Sequence, residues 1–334
     1  MKKVSNEKME DVGERAFLKR IKDLVDESLL QFNDDASAVL LPSGAVMVIN
    51  VDMLVFKTDV LPGMSFEQVG KKAVTMSISD IIAKGAKPYG CLASLGLKPD
   101  TKTENAQSIL KGVKAQCSYY DTKFLGGDLN ESSDIVLDVV SYGICKIDKL
   151  IPRKGVKNGD LIYSTGLFGL TSLGFRTLLK NLELPLSLKK ETLSSVYEPI
   201  ARVDFLPLFD SFDIKICMDS SDGLLITLTD LSQINNLGIE INNLPIHTEA
   251  LECAEDYTLN PLELAFKGGE EFELIFAIDS AKRIELQKEA ERLGLAIYLI
   301  GAFNENEKGI VIKDSRFSDF NLPKEGFEHF KKLT

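Results

Sequence analysis

Segments of helical periodicity and segments of strand periodicity take turns along almost all of this 334-residue chain. That alternation restricts it to folds in which helices cover mixed or parallel sheets. In the first half the pattern predicts a helix over 14–25, a strand over 45–52, a long helix over 66–85 and a strand over 90–97. A helix over 103–119, a short strand ending at Leu125 and a strand over 135–147 complete it. Residues 148–160 turn polar and loop-like, with Pro152, Gly155 and Gly159. A second set follows, with strands over 161–164, 214–218, 273–278 and 297–300 and helices over 170–179, 223–235 and 281–293. The expectation is an α/β (α+β) protein of two domains, 1–148 and 149–334, each with a mixed sheet and flanking helices.

Charge and composition exclude several functions. Against 39 basic residues stand 50 acidic ones, a net charge of −11. No basic block exceeds a lysine pair, so no nucleic-acid footprint is present. The longest apolar runs fall far short of the roughly 20 residues that a membrane span needs. The opening MKKVSNEKMEDVGE has no apolar signal stretch, so the chain reads as cytoplasmic with no membrane partner. Five scattered cysteines show no C-x-x-C spacing, and all but Cys117 lie among apolar neighbours, as reduced core residues do. Neither the P-loop pattern nor G-x-G-x-x-G occurs.

The acidic residues carry more information. Asp34 and Asp35 occupy a loop, an ordinary turn position. Asp52 ends the strand AVMVINVD and shares a face with Val46, Val48 and Asn50. Asp80 follows Val69, Ala73 and Met76 at helical spacing, which puts a carboxylate on an apolar face, where it needs a partner. Asp128 comes after Gly126-Gly127, either a β-turn or a close backbone approach to a ligand. Asp219 and Asp222 lie where the strand KICMD meets a helix, with Ser220 or Ser221 as candidate caps. Each has a plain reading alone. Together, five acidic motifs at strand ends, loops and one helix face are placed as α/β proteins place ligands. Two carboxylates about 4 Å apart repel by roughly 4 kcal/mol at an effective dielectric near 20, so a converging set requires cations or protons. Hard oxygen ligands and only two histidines favour magnesium over zinc, and no EF-hand spacing supports calcium.

Three further features bear on phosphate and ring binding. Ser164-Thr165-Gly166 with Gly169 and Gly174 opens a helix after a strand, suited to a phosphate or to tight packing. Arg153 lies in the segment IPRKGVKNGD, as a bidentate phosphate ligand or a solvated loop charge. The stretch GGEEFEL reads as an edge strand, and in GFEHF the ring of Phe327 suits stacking on a flat heterocycle or anchoring in a core.

In order, the segments GERAFLKRI, NDDASAVL, VDMLV, KAVTMSISDIIAKGAKP, YYDTKFLGGD, IPRKGVKNGDLIYSTGLFG, MDSSDGL, GGEEFEL and GFEHF resemble the thiamine-monophosphate kinases. The resemblance implies a two-domain fold like that of aminoimidazole ribonucleotide synthase. It implies an N-terminal domain that binds magnesium and pairs into a homodimer, and a C-terminal domain that closes the ATP site. It implies magnesium ligation by Asp35, Asp52, Asp80, Asp128, Asp219 and Asp222, with Asn50 and Val51 where the family has a hydroxyl pair. It implies ATP contacts from Gly127, Asp128, Arg153 and Ser221, and acceptor contacts from Glu270, Phe327 and Asp59, the last standing where the family has a histidine. Asn33, Leu129 and Glu271 also depart from the family pattern. The implied reaction moves the γ-phosphoryl group of ATP onto thiamine monophosphate, with no catalytic residue beyond metal and phosphate ligands. Two alternatives are another ATP-dependent synthase of the superfamily and a non-catalytic magnesium- or nucleotide-binding regulator.

Overall fold

The computed structural model describes residues 7–323 and residue 330. The first half forms a five-stranded sheet from β1 (Ser37–Leu40), β2 (Ala45–Val55), β3 (Lys87–Leu97), β4 (Lys123–Glu131) and β5 (Val136–Lys146), in the order β1-β2-β5-β3-β4. Only β3 and β4 run parallel. Its helices are α1 (Met9–Val12), α2 (Glu14–Ile21), α3 (Phe56–Asp59), α4 (Phe66–Ala83) and α5 (Thr103–Tyr119).

The second half forms a six-stranded sheet from β6 (Leu161–Ser164), β7 (Ile216–Asp219), β8 (Gly238–Ile241), β9 (Leu274–Ile278), β10 (Tyr298–Asn304) and β11 (Ile310–Ile312), ordered β11-β8-β10-β6-β9-β7. Its helices are α6 (Leu170–Lys180), α7 (Leu186–Tyr197), α8 (Leu206–Ser211), α9 (Leu224–Asn235), α10 (Thr248–Asp256), α11 (Pro261–Phe266) and α12 (Arg283–Leu293).

Helix α4 is the centre of the molecule. Ser65 caps it by accepting from the Gln68 amide at 3.2 Å, and Gln68 reaches back to the Ser65 amide. Gly85, at φ 71°, follows its end. The helix touches β2, β3 and β5 of the first sheet and β7 of the second, and is therefore buried on several faces. Polar residues Lys72, Thr75, Ser79 and Lys84 bond to the second half through Glu270, the Pro199 carbonyl, Asp219 and the Cys217 carbonyl respectively. One apolar cluster joins Val69, Ile78, Val113 and Leu137 of the first half to Phe205, Phe209, Cys217 and Phe276 of the second. A second cluster fills the other side of the six-stranded sheet, around Ile162, Leu228, Ile241 and Phe266.

Helices α4 and α5 meet at two glycines. A Cβ on Gly112 would stand 2.0 Å from the Glu67 carbonyl oxygen, and one on Gly70 2.0 Å from that of Ile109. Because both obstacles are backbone, Gly112→Ala is expected to cost about 2 kcal/mol in urea unfolding, an overpacking penalty. An unchanged midpoint would show that the two helices separate freely.

Several sequence expectations need correction. The strand expected to end at Leu125 continues through Gly126-Gly127 to Glu131, so the glycine pair is no turn. Gly127, at φ 157°, lies so close to β3 that a Cβ would overlap the Ala93 carbonyl. The GGEEFE segment is a loop, and β9 after it is an interior strand between β6 and β7. Cys117 is buried like Cys91, Cys217 and Cys253, because α5 turns it toward the sheet, whereas Cys145 is only partly buried. Strands β1, β8 and β11 and helices α1, α3, α7, α8, α10 and α11 were not foreseen.

Candidate active site

The carboxylates of Asp35, Asp80 and Asp219 converge, each offering an oxygen within 4.8 Å of the others. They come from three places: the loop before β1, the last turns of α4, and the end of β7. Asp52, on β2, joins them through Asn50, whose Nδ2 donates to Asp52 Oδ2 at 2.7 Å and to Asp80 Oδ2 at 2.5 Å. Ser79 Oγ donates to Asp219 Oδ2 at 2.7 Å.

Burial and mutual repulsion act on this group. Burial, then the charges of Asp219, Asp52 and Asp35, hold the Asp80 carboxyl well above its ordinary range. Burial and the charge of Asp35 push Asp219 up to about 7, and burial raises Asp52. Asp35 goes the other way: burial raises it, but the charges of Arg153 and then Lys84 outweigh that and hold it below 3.8.

Two cations supply that compensation. Arg153, only 8% exposed, pairs with the Asp35 carboxylate and donates to the Asn33 carbonyl at 2.9 Å, so it is no solvated loop charge. Asn33 occupies the left-handed region, at φ 66°, which asparagine tolerates. Lys84, fully buried, lies 2.6 Å from Asp34, 2.5 Å from Asp35 and 2.8 Å from the Cys217 carbonyl. Sequence reasoning passed over Lys84, which follows the end of α4 and whose partners come from the distant 33–35 loop rather than from Asp80, four residues before it.

The other sequence-derived residues spread around this cluster. Asp128 is exposed, and its row across the sheet, through Ser94, Asp138 and Met53, alternates with the row of Asp52, Val139 and Ala93 that packs on the core. Asp128 therefore lies outside the converging three. Val51 is exposed and carries no side-chain oxygen. Ser221 and Asp222 are exposed in the loop before α9, and Ser221 Oγ lies 3.5 Å from Asp219 Oδ1. No side chain caps that helix; Gly223 stands at its N-cap.

Asp59 and Glu270 are brought together by Lys72, which donates to the Asp59 carbonyl at 3.0 Å and pairs with Glu270 Oε1 at 2.5 Å. Glu271 accepts from Thr171 at 2.5 Å and is pushed up to about 7 by burial. It borders, with Glu273, Arg202 and His247, a cavity of about 550 Å³. In the Ser164–Gly174 segment Gly174 is closely packed: a Cβ there would stand 2.5 Å from the Thr192 carbonyl oxygen. Phe327 lies outside the described residues.

The donor set fits a hard divalent cation. It consists of oxygens alone, and burial leaves at least two of its carboxylates short of counter-charge.

Residues 33–145 match the family model for AIR synthase related protein, N-terminal domain. The chain is 33% identical to a thiamine-monophosphate kinase of Pyrococcus abyssi, over 89% of each chain. It is 31% identical to one of Nitrosopumilus maritimus, over 85% of this chain and 89% of that one. Among solved structures, AaThiL complexed with AMPPCP and TMP is 26% identical with a TM-score of 0.83, covering 97% of this chain and 99% of that one. No helix among the described residues is long and apolar enough to cross a membrane. Identity at this level over nearly the whole of both chains places this protein in the thiamine-monophosphate kinase family.

Proposed function

We propose that this protein transfers the γ-phosphoryl group of ATP to the phosphate of thiamine monophosphate, giving thiamine diphosphate and ADP, with magnesium as the metal. The observation that carries the reading is the convergence of Asp35, Asp80 and Asp219 in a chain of this family. The acceptor oxygen is already anionic at neutral pH, so the obstacle is repulsion between two polyanions rather than removal of a proton. Asp35, Asp52, Asp80 and Asp219 would hold the magnesium, which would supply the positive charge that offsets this repulsion. Asp128 and Asp222 are proposed to complete the ligand set from outside the buried cluster, with Asn50 and Val51 at its edge.

The protein's own part is positioning. Asn50 fixes the spacing of Asp52 and Asp80, and Ser79 orients Asp219. Arg153, Gly127 and Ser221 are assigned to the ATP phosphates, with Arg153 exchanging its Asp35 partner for phosphate oxygens. Asp59, Glu270 and Phe327 are assigned to the acceptor. Residues 1–148 carry the metal floor, and 149–334 close the ATP site over it.

The test is formation of ADP and thiamine diphosphate from ATP, magnesium and thiamine monophosphate, with thiamine and aminoimidazole precursors as parallel acceptors. Magnesium-dependent thiamine diphosphate is expected. ATP binding without turnover would instead support a regulator.

We also propose that the protein is a cytoplasmic homodimer that pairs through the first sheet. Val51, Met53, Leu92 and Leu125 are exposed there at 60%, 58%, 41% and 52%, and Val51 and Leu92 share one row across β5. Leu92→Asp is expected to halve the mass found by sedimentation equilibrium. A wild-type monomer would overturn the assignment.

A further inference from the structure

Lys72 is only 1% exposed, yet it belongs to none of the metal or phosphate contacts above. A buried ammonium requires compensation, and its two partners are informative. One is the carbonyl of Asp59, at 3.0 Å, the last residue of α3. The other is Glu270 Oε1, at 2.5 Å, in the loop before β9.

Both partners are themselves fixed in place. The Asp59 carboxylate is occupied in accepting from the Val55 amide at 2.7 Å. Glu270 is a non-glycine residue at φ 58°, tied through its amide to the Ser221 carbonyl at 2.7 Å. Lys72 thus joins a turn of the first half to a loop of the second. It does so from α4, the helix that carries Asp80 eight residues later, about 12 Å along the axis. The other oxygen of Glu270, Oε2, is buried with no hydrogen-bond partner among the described residues. An unmatched buried acceptor calls for a donor, and the aminopyrimidine of a thiamine phosphate carries an exocyclic amino group.

We propose that Lys72 is a positioning residue for the acceptor: it locks Glu270 and the 55–59 turn at a fixed separation, leaving Glu270 Oε2 to receive the amino group of the acceptor's pyrimidine. This rests on the reading of the chain as a thiamine-monophosphate kinase. Glu270 touches the acceptor, and Lys72 acts through Glu270.

The experiment is steady-state kinetics of full-length wild type, Lys72→Met, Lys72→Arg, Glu270→Gln and the Lys72→Met/Glu270→Gln double variant, each substrate varied in turn. For Lys72→Met, the KM for thiamine monophosphate is expected to rise about 30-fold, the loss of a charge-assisted hydrogen bond, while kcat and the KM for ATP stay within about threefold. Lys72→Arg is expected to recover most of that rise, and the double variant to be no worse than Lys72→Met. An acceptor analogue with an oxo group in place of the amino group is expected to be discriminated against by wild type and not by Lys72→Met. An unchanged acceptor KM in folded Lys72→Met, or a loss shared equally with ATP, overturns the proposal. Where Lys72→Met does not fold, Glu270→Gln is held to the same criteria. A wild type that makes no thiamine diphosphate removes the parent reading instead, so the two failures are distinct.

Discussion

Asp80→Asn is expected to lower kcat about 1,000-fold at saturating magnesium, a loss of about 4 kcal/mol of transition-state stabilisation. Asp80 lies among three other carboxylates and is held protonated more strongly than an ordinary aspartate by burial and their charges. Ionised, it is the ligand that only a cation makes tolerable. Asparagine keeps an oxygen that accepts from Asn50 but removes the charge. The metal-free variant should therefore melt no lower than wild type, because one term of buried repulsion is gone. Loss of activity without loss of stability separates a functional carboxylate from a structural one. Turnover within tenfold of wild type at saturating magnesium would remove Asp80 from the site.

The second large effect is on stability rather than rate. The folded-state pKa of Asp219 is raised from 3.8 to about 7, so the fold binds that proton more tightly than the unfolded chain does. Its contribution is fully present below about pH 4 and is lost as pH rises through about 7. Between pH 5 and 8, metal-free protein should lose about 3 kcal/mol from this group, a fall in Tm of about 4 °C for a chain of this size. Asp35 is lowered and acts in the opposite sense, withdrawing stability only as pH falls below its ordinary range. Magnesium competes with the proton, so the Tm rise on adding it should be larger at pH 8 than at pH 5. Thermal melts with and without magnesium at the two pH values, repeated on Asp219→Asn, test this. Equal increments, or an undiminished slope in the variant, would contradict it.

Much of this was legible in the sequence because it is local. The helical spacing of Val69, Ala73, Met76 and Asp80 identified a carboxylate on a packed face, and the period of two placed Asp52 inward. Lys72 and Lys84 were not legible in the same way. Lysine ordinarily solvates its charge, and both are turned inward by partners distant in sequence: Glu270 for Lys72, and Asp34, Asp35 and the Cys217 carbonyl for Lys84. Asp128 shows the converse. Its glycine pair reads locally as a turn, but the parallel strand beside it carries the chain straight on, and only the register reveals which face the acid takes. Strands β6 and β7, four residues each, are buried almost throughout and read as apolar runs, whereas the short β1 and β11 are largely unburied and too brief for a period to show.

The seam along α4 also limits how the enzyme can move. Four polar side chains of that helix are bonded into the second half, and the apolar cluster beneath them is continuous across the junction. Swinging one half away from the other would break a buried core and take the carboxylate partner of the buried Lys72 away, so a wide hinge is a poor route for admitting substrates or releasing products. Turnover would then be gated by the loops that meet at the seam, 33–35, 219–223 and 268–273. Their rates of opening, rather than a rigid-body swing, would set how fast thiamine diphosphate departs.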